Sequence, residues 1–495
     1  MQINTRLQFA VVWASLSVAA QAADKPNILY VMSDDHAYQA ISAYGGHLSK
    51  VIQTPNIDQL AKEGMIFHRA MVPNSICCPA RACVLTGKYS HMNGQIGNSD
   101  KFDGSQQTLP KLLMAAGYET AIIGKWHLYT EPTGFDYYSV LHGQGKYINS
   151  GFKEIGKWPK EEVHAGYVTE VITKDAIKWM KERNSDKPFF LMVHHKAPHR
   201  ICIPQKKHYD KLKNTVIPEP ATLYDDYKGR SDASKVQTQR IAKNMGRREN
   251  KVPKHMKGKA RTRLAYQNWI KDYLATSLSV DDSIGELMAY LKESGQADNT
   301  IVVYTSDQGL FLGEHGWFDK RFMYEECLRT PLLIRYPKLI KPGSVCYDMV
   351  MNIDYAPTFL ELAGVTIPAD IQGKSMVPVL KGETPADWRK QVYYRYYDFP
   401  DAHQVERHYG IRTERYKLIH FYYSMDQWEM YDLKEDPHEV NNLASNPEYK
   451  VKFEKLKKQL YALQAQVKDK PYDKVGQGVR NRKQAVTEEA HFGKF

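Results

Sequence analysis

The chain has 495 residues, of which 42% are hydrophobic and 25% charged, with a formal net charge of +12. That length exceeds what one hydrophobic core fills, so one large domain and a smaller one are expected. The ordinary composition and the absence of an internal period exclude low-complexity, solenoid and propeller architectures, and six cysteines in so long a chain are no disulfide scaffold.

Arg6 precedes the apolar run "LQFAVVWASLSVAA", and "AQA" follows before Ala23. A basic start, a short apolar stretch and small-x-small residues predict a signal peptide over 1–22, cleaved near Ala22–Ala23. The mature protein is then expected in the periplasm or outside the cell. The run is too short to span a bilayer comfortably, and no later stretch has the length of a membrane span. "NILYVMS" (27–33) reads as a buried strand that delivers Asp34 and Asp35 at its end. "TPNIDQLAKEG" (54–64) reads as a helix stopped by Gly64. "NSICCPARACVLTGK" (74–88) then crowds Cys77, Cys78 and Cys83 into seven residues.

The scheme of helix, glycine and strand recurs in "TLPKLLMAAGYETAIIGKWHL" (108–128), and "PFFLMVHHKAPH" (188–199) is a strand ending in histidines. From Lys228 to Arg263, thirteen Lys or Arg face two acids, Asp232 and Glu249. In an exported protein such a segment points to a polyanionic polysaccharide rather than to nucleic acid, or else it is a solvated loop. Helical spacing over 273–295, with Leu287 and Leu291 on one face, leads into strand "TIVVYTSDQG" (300–309) and then "TPLLIRYP" (330–337). Strands alternating with helices, with polar residues just past the strand ends, predict an α/β sheet binding its ligand at the carboxyl edge. After about residue 380 the texture changes to aromatic, alternating strands and a charged helix over 448–467, a small antiparallel sheet with a terminal helix. The expected division is a catalytic domain over 23–380 and a C-terminal subdomain over 381–495.

The cysteine cluster does not match structural zinc, which wants paired knuckles rather than adjacent Cys77 and Cys78 with Cys83 alone. A thiolate nucleophile with a histidine partner, and ordinary core cysteines, remain as readings. The stretch C-x-P-x-R followed by "ACVLTG" resembles the signature of the sulfatases. So do the paired acids after the first strand, "GKWH", "APH", "SDQG" and "DKRFMYEE", in that family's order, and "YDLKEDPHEVNNL" at 431–443. The resemblance covers nearly the whole mature chain. It implies an alkaline-phosphatase-like fold, a large mixed sheet sandwiched by helices. It also implies that a separate maturation enzyme oxidises Cys77 to formylglycine (3-oxoalanine), a hydrated aldehyde at rest. Cys78 then fills a variable place and Cys83 is a small buried hydrophobe.

The resemblance assigns roles that the chemistry of a sulfate ester explains. One geminal hydroxyl attacks sulfur, and the other later expels sulfate by reforming the aldehyde. A cation bound by Asp34, Asp35, Asp307, Gln308 and the modified Cys77 raises the acidity of the attacking hydroxyl. Those hard oxygens suit Ca²⁺, and Mg²⁺ less, since Gln308 stands where the family usually has Asn and reaches one methylene further. Arg81 steadies the alkoxide-like form, Lys125 and Lys320 grip sulfate oxygens, His127 acts as base and His199 protonates or polarises the leaving oxygen. His194 and His195 are rivals for that last role. His315 and Arg321 are expected to touch the sugar. The implied function is an exported sulfatase of sulfated carbohydrates, glycosaminoglycan or algal, similar to bacterial N-acetylglucosamine-6-sulfatase-like enzymes. The alternatives are a phosphodiesterase or phosphonate monoester hydrolase of the same superfamily, and an inactive polyanion-binding protein.

Overall fold

The structure, a computed structural model, describes residues 25–470, so the expected leader over 1–22 lies outside the described residues. Among these, ten strands form one mixed sheet. In chain order they are β1 (Asn27–Asp34), β2 (Met65–Phe67), β3 (Glu119–Gly124), β4 (Tyr137–Leu141), β5 (Ile148–Glu154), β6 (Glu162–Tyr167), β7 (Phe189–Pro198), β8 (Thr300–Ser306), β9 (Leu332–Arg335) and β10 (Ser344–Cys346). Across the sheet they lie in the order β10-β2-β9-β8-β1-β7-β3-β4-β5-β6. The centre, β8-β1-β7-β3-β4, is parallel throughout. The edges turn antiparallel through β9 on one side and the β5–β6 hairpin on the other.

Every residue of β1 is buried. Its side chains alternate: Ile28, Tyr30 and Met32 enter the core on one face, Leu29 and Val31 the core on the other. A strand covered on both faces needs apolar residues at every position, which is why 27–33 reads as a continuous run. The covers are helices. On one face α1 (Pro55–Glu63), α3 (Val168–Glu182) and the long α5 (Gly258–Glu293) contribute Ile57, Ile172, Val280 and Leu287. On the other, α2 (Cys77–Thr86) contributes Ala82 and Leu85. Between α3 and α5 lies a short helix, α4 (Arg247–Asn250).

A separate antiparallel sheet follows: β11 (Gln391–Tyr396), β12 (His408–Thr413), β13 (Tyr416–Phe421) and β14 (Gln427–Asp432), with α6 (Lys450–Gln466) packed on it. Two features were not expected from the sequence. The β4–β6 meander adds three strands at the sheet edge, and α5 begins at Gly258 rather than near Tyr273. All six cysteines are unpaired thiols. No helix among the described residues is long and apolar enough to cross a membrane.

The end of β3 is fixed by sterics. Gly124 has φ +104°, and a Cβ there would stand 2.0 Å from the His194 carbonyl oxygen. The next residue, Lys125, donates its N–H to that same oxygen at 2.7 Å. Gly124→Ala must therefore push β3 away from β7 and adopt a left-handed backbone. It is expected to lower stability by about 3 kcal/mol, read as a fall in the thermal midpoint. An unchanged midpoint would mean that the β3–β7 junction does not set the position of Lys125.

Candidate active site

The carboxyl ends of four central strands meet the start of one helix. Asp34 closes β1, and Asp35 follows with φ +65°. Lys125 and His127 follow β3, His199 follows β7, and Asp307 and Gln308 follow β8. Cys77 is the first residue of α2. Ligands of open α/β sheets bind at such an edge.

Carboxylate oxygens of Asp34, Asp35 and Asp307 lie within 4.8 Å of one another, and ligand atoms of Asp34, Cys77 and His199 form a second such group. Three cations face the acids. Arg81 Nη2 is 2.9 Å from Asp307 Oδ2 and 3.7 Å from Asp34 Oδ1. Lys125 Nζ pairs with Asp34 Oδ2, and Lys320 Nζ sits 2.8 and 2.7 Å from the two Asp35 oxygens. The Cys77 thiol lies 3.7 Å from Asp34 Oδ1 and 3.8 Å from Gln308 Nε2. His199 Nε2 is 3.7 Å from Asp35 Oδ2, and its Nδ1 is 2.5 Å from the Arg200 carbonyl oxygen. His127 Nε2 is 3.1 Å from the Tyr129 hydroxyl, while the Cys78 thiol donates to the His127 carbonyl oxygen at 2.8 Å.

Burial sets the electrostatics. It pushes the Cys77 thiol up to about 12, so an unmodified cysteine there is protonated at neutral pH. Burial and the charge of Asp34 raise Asp307 to about 7, and burial, then Asp34, raises Asp35. Burial would raise Asp34 as well, but Lys125 above all, with Arg81 and Lys320, holds it well below the usual carboxylate range. Burial, then Lys125, keeps His127 neutral, and burial does the same to His199.

The residues fit a divalent cation. Their donors are hard oxygens from three buried carboxylates. Gln308 turns its Nε2 toward Asp35 and the Cys77 thiol, while its Oε1 is buried with no hydrogen-bond partner, so reversing the amide presents that oxygen to the same site. Clustered carboxylates repel unless a cation sits between them.

Two of the expected residues make no hydrogen bond to the carboxylate cluster. His315 is fully buried, with Nδ1 2.7 Å from Asp225 and 3.0 Å from Arg230, and makes no polar contact with the carboxylate cluster. Arg321 pairs with Asp319, the residue before Lys320. Asp319 also meets His403 at 3.1 Å and Arg200 at 3.7 Å. Each rival of His199 engages one ring nitrogen within the protein and leaves the other, His194 Nε2 or His195 Nδ1, buried with no hydrogen-bond partner. His194 Nδ1 faces the Lys125 carbonyl oxygen at 3.1 Å and Arg81 Nη1 at 3.4 Å, and His195 pairs with Ser283 at 3.0 Å. Sequence reasoning did not single out Tyr129, Asp319, Arg200 or His403. Asp319 and Arg200 adjoin "KR" and "APH", a positional signal, whereas nothing local marks His403.

Comparison with known proteins gives concordant findings. The family described as Sulfatase matches residues 26–365, and the one described as N-sulphoglucosamine sulphohydrolase, C-terminal, matches residues 313–466. The N-acetylglucosamine-6-O-sulfatase of Bacteroides thetaiotaomicron is 48% identical, over 93% of this chain and 91% of its own length. A solved complex of a protein with its substrate, D-glucosamine-2-N,6-O-disulfate, is similar at 49% identity and a TM-score of 0.85, covering 90% of this chain and 98% of that one. The phosphonate monoester hydrolase of Agrobacterium radiobacter, 22% identical with a TM-score of 0.74 over 90% and 96% of the two chains, shares the alkaline-phosphatase-like fold alone.

Proposed function

The chain belongs to the sulfatase family and is a sulfuric ester hydrolase, and on that premise we propose that it removes the 6-O-sulfate of sulfated glucosamine units from glycosaminoglycan. It would do so after export to the periplasm or beyond. The observation that carries the proposal is the convergence of Cys77, three carboxylates and two lysines at one buried sheet edge. The similarity to an N-acetylglucosamine-6-O-sulfatase along nearly the whole chain supports the choice of substrate.

In this proposal Asp34, Asp35, Asp307 and Gln308 hold a divalent cation, Ca²⁺ in preference to Mg²⁺. When bound, that cation supplies positive charge against the ester oxygens and acidity at the attacking hydroxyl. Formylglycine at residue 77 supplies that hydroxyl and a second one for release, chemistry that neither cysteine nor serine offers. Lys125 and Lys320, paired here with Asp34 and Asp35, are the two ammonium groups beside residue 77 available to an anion. Arg81 keeps Asp307 in place through its 2.9 Å contact. His127 takes a proton from the second hydroxyl. His199 Nδ1 donates to the Arg200 carbonyl, so Nε2 is the atom that faces the leaving oxygen, and it passes a proton there after taking one up when the anionic ester binds. Each such transfer is worth roughly 10²–10⁴-fold.

The testing experiment measures sulfate released from N-acetylglucosamine 6-sulfate, from its 3-sulfated isomer, and turnover of nitrophenyl sulfate against a nitrophenyl phosphodiester. The 6-sulfate is expected to exceed the isomer by about a hundredfold or more, and the sulfate ester to exceed the phosphodiester. Preference for the phosphodiester would move the chain to the phosphonate and phosphodiester branch of the superfamily. Turnover of neither would favour a polyanion-binding protein.

A further inference from the structure

The thirteen Lys and Arg of 228–263 do not form one uniform cationic face. Four have acid partners: Arg230 with Asp225, Lys235 with Asp232, Lys251 with Asp272 and Arg263 with Glu219. Arg240 and Lys259 lie over the rings of Tyr227 and Tyr224, at 4.9 and 5.3 Å. Five others surround a basin of about 600 Å³: Lys243, Arg247, Lys254, Lys257 and Arg261. Among the described residues none of these five is ion-paired, and no acid lines the basin. A concave surface with uncompensated cations concentrates anions. Its rim is built rather than loose. Arg261 donates from Nε to the Ala242 carbonyl at 2.8 Å and from Nη1 to the Pro253 carbonyl at 3.3 Å, which holds its guanidinium in place.

The basin is also tied to the catalytic edge. Arg247 lines it from α4, and Glu249, two residues along, pairs with Arg200 at 2.6 Å. Arg200 in turn lies 3.7 Å from Asp319, the neighbour of Lys320. The backbone of α4, followed by the Glu249–Arg200 and Arg200–Asp319 pairs, thus connects the wall of the basin to the catalytic edge.

We propose that this basin is a second anion subsite, which holds a sulfate or carboxylate group of a sulfated glycan chain while another unit of that chain sits at residue 77. The proposal rests on the sulfated-glycan reading above. The lining favours a glycan over other polyanions. It holds no aromatic side chain, and single-stranded nucleic acid binds on aromatic stacking platforms. Its apolar members, Ala242, Val252 and Met256, are too few for a membrane-inserting rim.

The test compares two variants of equal charge loss. One carries Lys243, Lys254 and Lys257→Gln in the basin. The control carries Lys450, Lys455 and Lys458→Gln on the exposed side of α6. Binding of a heparin-derived octasaccharide is measured by calorimetry at low and high salt, and binding of duplex DNA of equal charge is measured beside it. Turnover of N-acetylglucosamine 6-sulfate is followed separately. Exposed charge contacts are individually weak, so the basin variant is expected to bind the octasaccharide about tenfold more weakly at low salt, with the difference fading as salt rises. The control should bind as the parent does, and monosaccharide turnover should be the same in all three proteins. Unchanged octasaccharide affinity in the basin variant would overturn the proposal. So would an equal loss in the control, or DNA bound as tightly as the octasaccharide. Absent monosaccharide turnover in the parent would instead count against the substrate reading, because binding is read independently of it.

Discussion

Cys77→Ala is expected to abolish sulfate release, a fall of about 10⁴-fold or more, in a protein that still folds. No neighbouring group can take its place. The Cys78 thiol is buried and donates to the His127 carbonyl, and the Ser75 hydroxyl donates to the Cys327 carbonyl. The structural cost should be small. Cys77 makes only long polar contacts, at 3.7 and 3.8 Å, and losing one buried sulfur costs on the order of 1 kcal/mol. Circular dichroism and the thermal midpoint separate the two effects. Residual activity above about one hundredth of the parent, far more than loss of a nucleophile leaves, would mean that the attacking atom belongs to another residue.

Chelation of the purified enzyme should silence it, and added Ca²⁺ should restore it. Asp307→Ala should cost about 10³-fold without restoration, since several kcal/mol of charge stabilisation are lost. The acids and cations of the cluster balance, three against three. A bound dication gives the pocket the excess positive charge that an anionic ester needs. Asp307→Ala also leaves Arg81 with Asp34, at 3.7 Å, as its remaining acid. A buried cation stripped of its close partner destabilises by about 3 kcal/mol, so this variant should melt earlier than Cys77→Ala. Full activity after thorough metal removal would contradict the assignment of Asp34, Asp35 and Asp307.

How much could be read from sequence follows from how each segment is buried. β1, β7 and β8 are covered on both faces, so their apolar runs are unbroken and plain to see. β5 and β6 sit at an exposed edge, with Val163 67% exposed, and their sequences, "INSGFKE" and "EVHAGY", alternate too weakly to stand out. The first turns of α5 carry Lys259 and Arg263 toward solvent, which hides a helix whose apolar face emerges only further along. The site was legible where its residues follow strand ends in short runs, as Asp34, Asp35, Asp307 and Gln308 do. Contacts made across the fold left no local trace. His403 reaches Asp319 from the loop between β11 and β12, and its own surroundings in the chain, "FPDAHQVE", hold no sign of that partner.

The most direct test is the mass of the tryptic peptide spanning 70–81 in preparations of differing activity. If residue 77 works as formylglycine, the active fraction carries a peptide in which H₂S has been replaced by one oxygen, and sulfate release scales with that fraction. A preparation fully active on N-acetylglucosamine 6-sulfate, with an intact thiol at Cys77, would contradict the account.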